Sequence, residues 1–265
     1  LKPGVLIVRR YLPCFIIWLM MLALLSRYAL AATLQVAPVT LDLQSGQRAT
    51  AVYLTNSGKS AIHAQIRVYE WSQKNGKDVL AATEEVVSSP AMTSLAPGQQ
   101  QLVRIIVMRP GLNEQEQSYR LVIDELPDAA ARAASPNAVH FLLRYSIPVF
   151  IAGNQTAPVS RDALSCEQAD TPATIRCYNA GNSHIRLSHL QALTASGQAV
   201  ASIKGLAGYV LPGQTALLTF RHAPRHTLSA LRAYINDDHN ASQIPLRPLA
   251  ARAPALATAH AVSPG

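Results

Sequence analysis

The stretch PNAVHFLLRYSIPVFIAG, residues 136–153, decides how the chain is read. From Val139 onward the odd positions are apolar or aromatic: Val139, Phe141, Leu143, Tyr145, Ile147 and Val149. Alternation at period two predicts a β-strand with one apolar face. The run, about 137–150, is roughly twice the usual strand length of five or six residues. Pro148 lies inside it and has no N–H for a ladder, which places the strand at an edge or a bulge. A long apolar edge strand invites aggregation unless the edge has a use. One use is capture of an extended peptide by strand addition, where main-chain bonds give affinity and alternate side chains fill pockets. Val139, Phe141 and Leu143 would fill such pockets, each worth roughly 1.5–3 kcal/mol on burial before ordering costs. The competing reading is that they line the core of their own domain.

Around this strand the chain reads as short β segments separated by turns. ATAVYLTN, IHAQIRVYEW, QLVRIIVM and YRLVIDEL precede it; TIRCYNA, IRLSHLQAL, ALLTFR and LRAYIN follow. No segment sustains an amphipathic helical period beyond two turns. An internal repeat organises the whole. TNSGKSAI at 55–62 and YNAGNSHI at 178–185 share Asn-x-Gly-x-Ser-x-Ile, and LAPGQQQLVRIIV at 95–107 resembles VLPGQTALLTF at 210–220. Short strands at this spacing, with Pro-Gly and Asn-x-Gly turns between them, predict β-sandwiches. The fold class is therefore all-β, with two immunoglobulin-like sandwiches. The boundary falls at Ala152-Gly153-Asn154, giving domains over 32–152 and 153–249, and so short a hinge predicts a fairly fixed angle between them. The small-residue loop at 127–138 reads as mobile, and the tail at 250–265 as disordered.

Lys2, Arg9 and Arg10 precede an uncharged apolar run from Leu12 to Leu25, followed by Ala29-Leu30-Ala31. That order predicts a secretory signal peptide over 1–31, cleaved after Ala31. The run is short for a membrane-spanning helix, which needs about 20 residues, so no stable membrane insertion is expected after cleavage; a retained anchor is the alternative. Leu1 in place of Met points to an unusual or misplaced start. The segment holds four of the 23 Lys and Arg residues, leaving 19 against 15 Asp and Glu. This mild, dispersed charge lacks the clustered stripe of a nucleic-acid-binding surface. Beyond the signal segment the cysteines are Cys166 and Cys177. In an exported protein they most simply form one disulfide; two buried free thiols are the alternative. Two cysteines cannot make a four-ligand zinc site.

Motifs for catalysis are missing: there is no Gly-x-Ser-x-Gly, no His-Glu-x-x-His and no phosphate-cradling glycine loop. His184 and His189 lie at odd separation on one strand, hence on opposite faces. Pro224 breaks the spacing of His222 and His226. These histidines read as solvated surface residues rather than metal ligands, and no cofactor is expected.

Taken together, PVTLDLQSGQRATAVYLTNSG, SPAMTSLAPGQQQLVRIIV, YRLVIDELP, LLRYSIPVFI and AYIND resemble the periplasmic pilus chaperones of the chaperone–usher pathway, more closely the archaic branch. The resemblance runs from about Leu34 to Arg247. It implies two immunoglobulin-like domains in an L shape, in the periplasm. The last strand of the first domain would be lent to an incomplete pilin subunit before delivery to an outer-membrane usher. Val139, Phe141 and Leu143 match the donor residues, and Tyr145 continues their face. Better-known branches hold the subunit's C-terminal carboxylate with two basic residues, but the matching positions here are Thr40 and Pro148. Arginine is the best carboxylate donor, which makes Arg120 the first candidate anchor and Arg144 the second. Glu125 and Asp237 match acidic residues near the domain interface, with Arg104 as the candidate partner in an interdomain salt bridge. An exposed donor edge also makes a self-capping homo-oligomer plausible. Two other classes stay open: a pilin- or adhesin-like surface subunit, and an exported enzyme on a β-sandwich scaffold.

Overall fold

The computed structural model describes residues 34–110, 113–127, 141–155 and 161–247. The expected signal segment at 1–31, nearly all of the 127–138 loop, Val139 and the tail at 250–265 lie outside them. The first ten strands are β1 (Leu34–Ala37), β2 (Leu41–Leu43), β3 (Ala49–Asn56), β4 (Ile62–Lys74), β5 (Lys77–Ala82), β6 (Val86–Ser89), β7 (Met92–Leu95), β8 (Gln100–Val107), β9 (Gln117–Leu126) and β10 (Arg144–Ile151). Seven more follow a single 3-10 turn at Arg161–Ala163: β11 (Leu164–Gln168), β12 (Thr174–Asn179), β13 (Ile185–Leu193), β14 (Ala199–Val210), β15 (Thr215–Thr219), β16 (Ala230–Ile235) and β17 (Ser242–Arg247). No α-helix occurs among the described residues.

Two separate cores result. A four-stranded sheet in the order β1-β3-β8-β6 faces a sheet in the order β2-β10-β9-β4-β5, with β7 also on β4. Their alternating inward residues, among them Leu54, Ile66, Ile105, Leu121, Ile123 and Val149, form the first core. The later strands run β14-β13-β16-β17-β11-β12-β15 and enclose the second core around Ile175, Ile185, Leu187 and Leu231. Cys166 and Cys177, opposite each other on β11 and β12, are joined by a disulfide.

The sequence repeat has a physical cause. Asn56 and Asn179 are both fully buried polar side chains, which is costly unless every group is satisfied. In each copy the side-chain amide donates to two carbonyls. Asn56 reaches Ser60 O at 2.8 Å and Leu95 O at 2.9 Å; Asn179 reaches Ser183 O at 2.8 Å and Val210 O at 3.0 Å. In each copy the side-chain oxygen accepts the N–H of the motif glycine, Gly58 or Gly181, at 2.9 Å. The backbone carbonyl then accepts from the Pro-Gly turn, through Gly98 or Gly213. One asparagine thus ties the end of a strand to the following turn and to the next Pro-Gly turn.

The last strand of each sandwich also follows one plan. β10 pairs antiparallel with β9 and parallel with β2 from Val149 onward. β17 pairs antiparallel with β16 and parallel with β11 from Leu246 onward. In both, the residue before the parallel pairing is a proline, Pro148 or Pro245. The regular strand β10 opens at Arg144, later than the alternation in the sequence suggests, and residues 141–143 are not in strand conformation.

Candidate functional site: the open edge of the tenth strand

Hydrogen-bond parity decides which side of β10 is free. The Glu125 N–H donates to Leu143 O at 2.9 Å, so odd-numbered residues of β10 turn their peptide groups toward β9. Even-numbered residues turn theirs to the other side, where Ala152 N–H donates to Leu43 O of β2. β2 covers only Val149–Ile151. From Arg144 to Pro148 this side has no paired strand among the described residues. Pro148 lacks its N–H at a position whose donor would point outward, so the antiparallel ladder to β9 loses nothing.

The side chains on the odd face grade from core to solvent. Ile151, Val149 and Ile147 are buried; Tyr145 and Leu143 pack partly against the first core; Phe141 is 84% exposed. The Tyr145 hydroxyl donates to Leu34 O on β1, across the mouth of the sandwich. Leu142 and Val39 add exposed apolar surface near the same edge. Glu125 fixes the approach to the strand, since its carboxylate also accepts the Leu143 N–H at 3.2 Å.

The outer face of the β10-β9-β4 sheet carries the charges. Asp124 accepts from Arg144 and, at 2.6 Å, from Arg67. The hydrogen bond from Arg144, and then that from Arg67, hold the Asp124 carboxyl below its ordinary range against an opposing desolvation. Arg120, opposite Pro148, lies nearer the second sandwich. Its guanidinium stacks 3.6 Å over Trp71 and lies 5.5 Å from the Tyr209 ring of β14, with Asp78 at 4.0 Å. Burial lowers its pKa from the usual arginine value.

Arg104, Glu125 and Asp237 are not brought together. Arg104 is exposed on β8 of the four-stranded sheet, whereas Glu125 is on β9 of the facing sheet with the core between them. Asp237 is 96% exposed and pairs with Arg186 of its own sandwich at 2.6 Å. The contact between sandwiches is built differently. Trp71 and Phe150 of the first pack with Tyr209 and Leu211 of the second. His184, expected as a solvated residue, instead stacks on Phe150 with ring centroids 3.5 Å apart. Its Nδ1 lies 2.9 Å from the Glu116 carboxylate, which also accepts the His184 N–H at 3.0 Å.

Two sandwiches joined by such a contact define a two-domain immunoglobulin-like architecture. Residues 33–156, somewhat under half of the chain, match the model of the family described as pili and flagellar-assembly chaperone, PapD N-terminal domain; in this region the chain is similar to the pilus-assembly chaperones. No curated protein matches the chain in sequence. Among solved structures, a chain of the CsuC–CsuE complex is 25% identical, with a TM-score of 0.63 over 82% of this chain and 100% of that one. That complex is a chaperone–tip adhesion subunit pre-assembly complex from the archaic chaperone–usher Csu pili of Acinetobacter baumannii. The Pseudomonas aeruginosa CupB2 chaperone is 17% identical, with a TM-score of 0.54 over 80% of this chain and 100% of its own. A chain of the Salmonella enterica SafA pilin–SafB chaperone complex is 13% identical, with a TM-score of 0.58 over 83% of this chain and 99% of its own. The last two speak for the fold alone.

Proposed function

We propose that the protein is a periplasmic chaperone that binds incomplete pilin subunits along the open edge of β10 and delivers them to an outer-membrane usher. The observation that carries this reading is the unpaired side of Arg144–Pro148, continued by the exposed Phe141. The backbone there offers hydrogen bonds to an added strand, while Phe141, Leu143 and Tyr145 present the apolar face that would enter a subunit's groove. Val139 would extend that face by one step. Nothing in this mode needs a reactive group, so the role is binding rather than catalysis.

Arg120 is the better anchor for a subunit's terminal carboxylate. Arg144 is already engaged by Asp124, whereas the nearest carboxylate to Arg120 is Asp78 at 4.0 Å. A partly desolvated guanidinium held flat on Trp71 loses little freedom on binding an anion.

Co-expression of the chain with pilin subunits encoded beside it tests the reading. The wild type should co-purify with a subunit one to one, and the Phe141→Asp, Leu143→Asp double variant should lose it by at least about a hundredfold in affinity while keeping its fold by circular dichroism. Equal capture by wild type and double variant would defeat strand donation.

A further inference from the structure

Two sandwiches joined by a short linker tend to move relative to one another unless a second contact restrains them. A linker fixes the distance between its ends and leaves rotation about itself. The linker side is held by Gly153, where a Cβ would lie 2.3 Å from Glu114 O, and by the Glu116–His184 contact. A separate contact lies at the β4–β5 hairpin. Its turn is Asn75-Gly76, with φ of 53° and 77°, the two-residue turn that matches strand twist.

This hairpin grips the second sandwich by its backbone. Gln73 Nε2 donates to Tyr209 O at 2.8 Å, and the Leu211 N–H donates to Gln73 Oε1 at 3.1 Å. The side-chain amide therefore replaces a peptide group beside the end of β14. The Gln73 N–H donates in turn to the Gln214 side chain. One turn further on, Leu217 N–H on the edge strand β15 donates to Gly76 O at 2.9 Å. A Cβ on Gly76 would come within 2.3 Å of Leu217 Cγ, so the approach requires glycine for space as well as for its positive φ.

We propose that Gln73 and Gly76 form a clamp that sets the angle between the sandwiches, and that they are positioning residues for subunit capture. The clamp takes the place of the salt bridge that Arg104, Glu125 and Asp237 do not make. It acts next to Trp71, two residues before Gln73 on β4, and so fixes Tyr209 against the Trp71–Arg120 stack. This part rests on the chaperone reading above; the clamp itself does not.

The test compares Gln73→Ala and Gly76→Ala with Gly46→Ala in the full chain. Gly46 has a similar φ of 79° with nothing within 4 Å of a built Cβ, so it reports the backbone strain without the clash. Amide hydrogen exchange, small-angle scattering and subunit affinity are measured for each. Gln73→Ala should speed exchange at Leu211, and also at Leu217, which it does not touch, by about tenfold or more because the clamp opens as one unit. Gly76→Ala should likewise speed exchange at Leu217, which it touches, and at Leu211, which it does not, and both variants should broaden the scattering-derived size distribution and weaken subunit capture. Gly46→Ala should do neither. Exchange at Leu217 unchanged in Gln73→Ala overturns the clamp. Faster exchange with unchanged subunit affinity overturns the positioning role. A wild type that captures no subunit defeats the chaperone reading, while the exchange cross-effect still decides the clamp.

Discussion

β10 and β17 are built to one plan, and they differ in how the chain enters them. Each closes its sandwich between an antiparallel and a parallel neighbour, and each carries a proline one residue before the parallel pairing. Their approaches differ. Six residues, 236–241, separate β16 from β17, whereas seventeen, 127–143, separate β9 from β10. The short connection brings Ser242 and Ile244 in buried. After the long connection the chain arrives with Phe141 in solvent, although the stretches before the parallel pairing, Arg144–Pro148 and Ser242–Pro245, both have no strand paired on their outer side among the described residues.

The largest effects should come from what the two sandwiches share. Asn56→Ala and Asn179→Ala each take the side-chain partner from two carbonyls and one glycine N–H. Each should therefore destabilise its own sandwich by about 3 kcal/mol in urea unfolding. Similar losses in both would confirm that the two boxes are equivalent; a loss in one alone would break the pairing. Next comes what only the second sandwich has. Replacing Cys166 and Cys177 by alanine should cost about 2–3 kcal/mol, read as earlier exchange of β11 and β12 amides with those of β9 and β10 unchanged.

The smallest effect concerns the charges beside the open edge. The folded pKa of Asp124 lies below its unfolded value, so its ion pairs stabilise the fold above the unfolded pKa, about 3.9. That contribution is lost as pH falls through the folded pKa. Wild type should exceed Asp124→Asn in stability by a constant margin above about pH 5, and the margin should close below pH 4. A margin that persists at low pH would mean that packing, rather than the pairs with Arg144 and Arg67, accounts for the difference.

Much of this was legible beforehand. Strand identities followed from period-two alternation: ATAVYLTN and IRLSHLQAL coincide with β3 and β13 to the residue. The Asn-x-Gly repeat announced two similar halves, and Pro148 announced an unpaired outward position. The interdomain contact was not legible in the same way. Asn75-Gly76 is a hairpin signal in any sequence, but which strand its carbonyl meets depends on residues some 140 positions away. Gln73 reads as an ordinary polar strand residue until Tyr209 O and Leu211 N stand opposite its amide. His184 looked solvated because nothing local reveals that Phe150 will cover its ring. Glu125 and Asp237, matched by resemblance, and Arg104, their candidate partner, also failed to meet, since Arg104 and Glu125 belong to facing sheets.

The sequence by itself determined what depends on neighbours a few residues apart: alternation, turns, the Asn-x-Gly repeat and the odd-face apolar side chains of the closing strand. Only the tertiary structure decided which edge of that strand stays open, which groups join the sandwiches and where Arg120 sits. Those outcomes depend on long-range pairing, where one backbone donor or one missing Cβ selects among partners that no local pattern distinguishes.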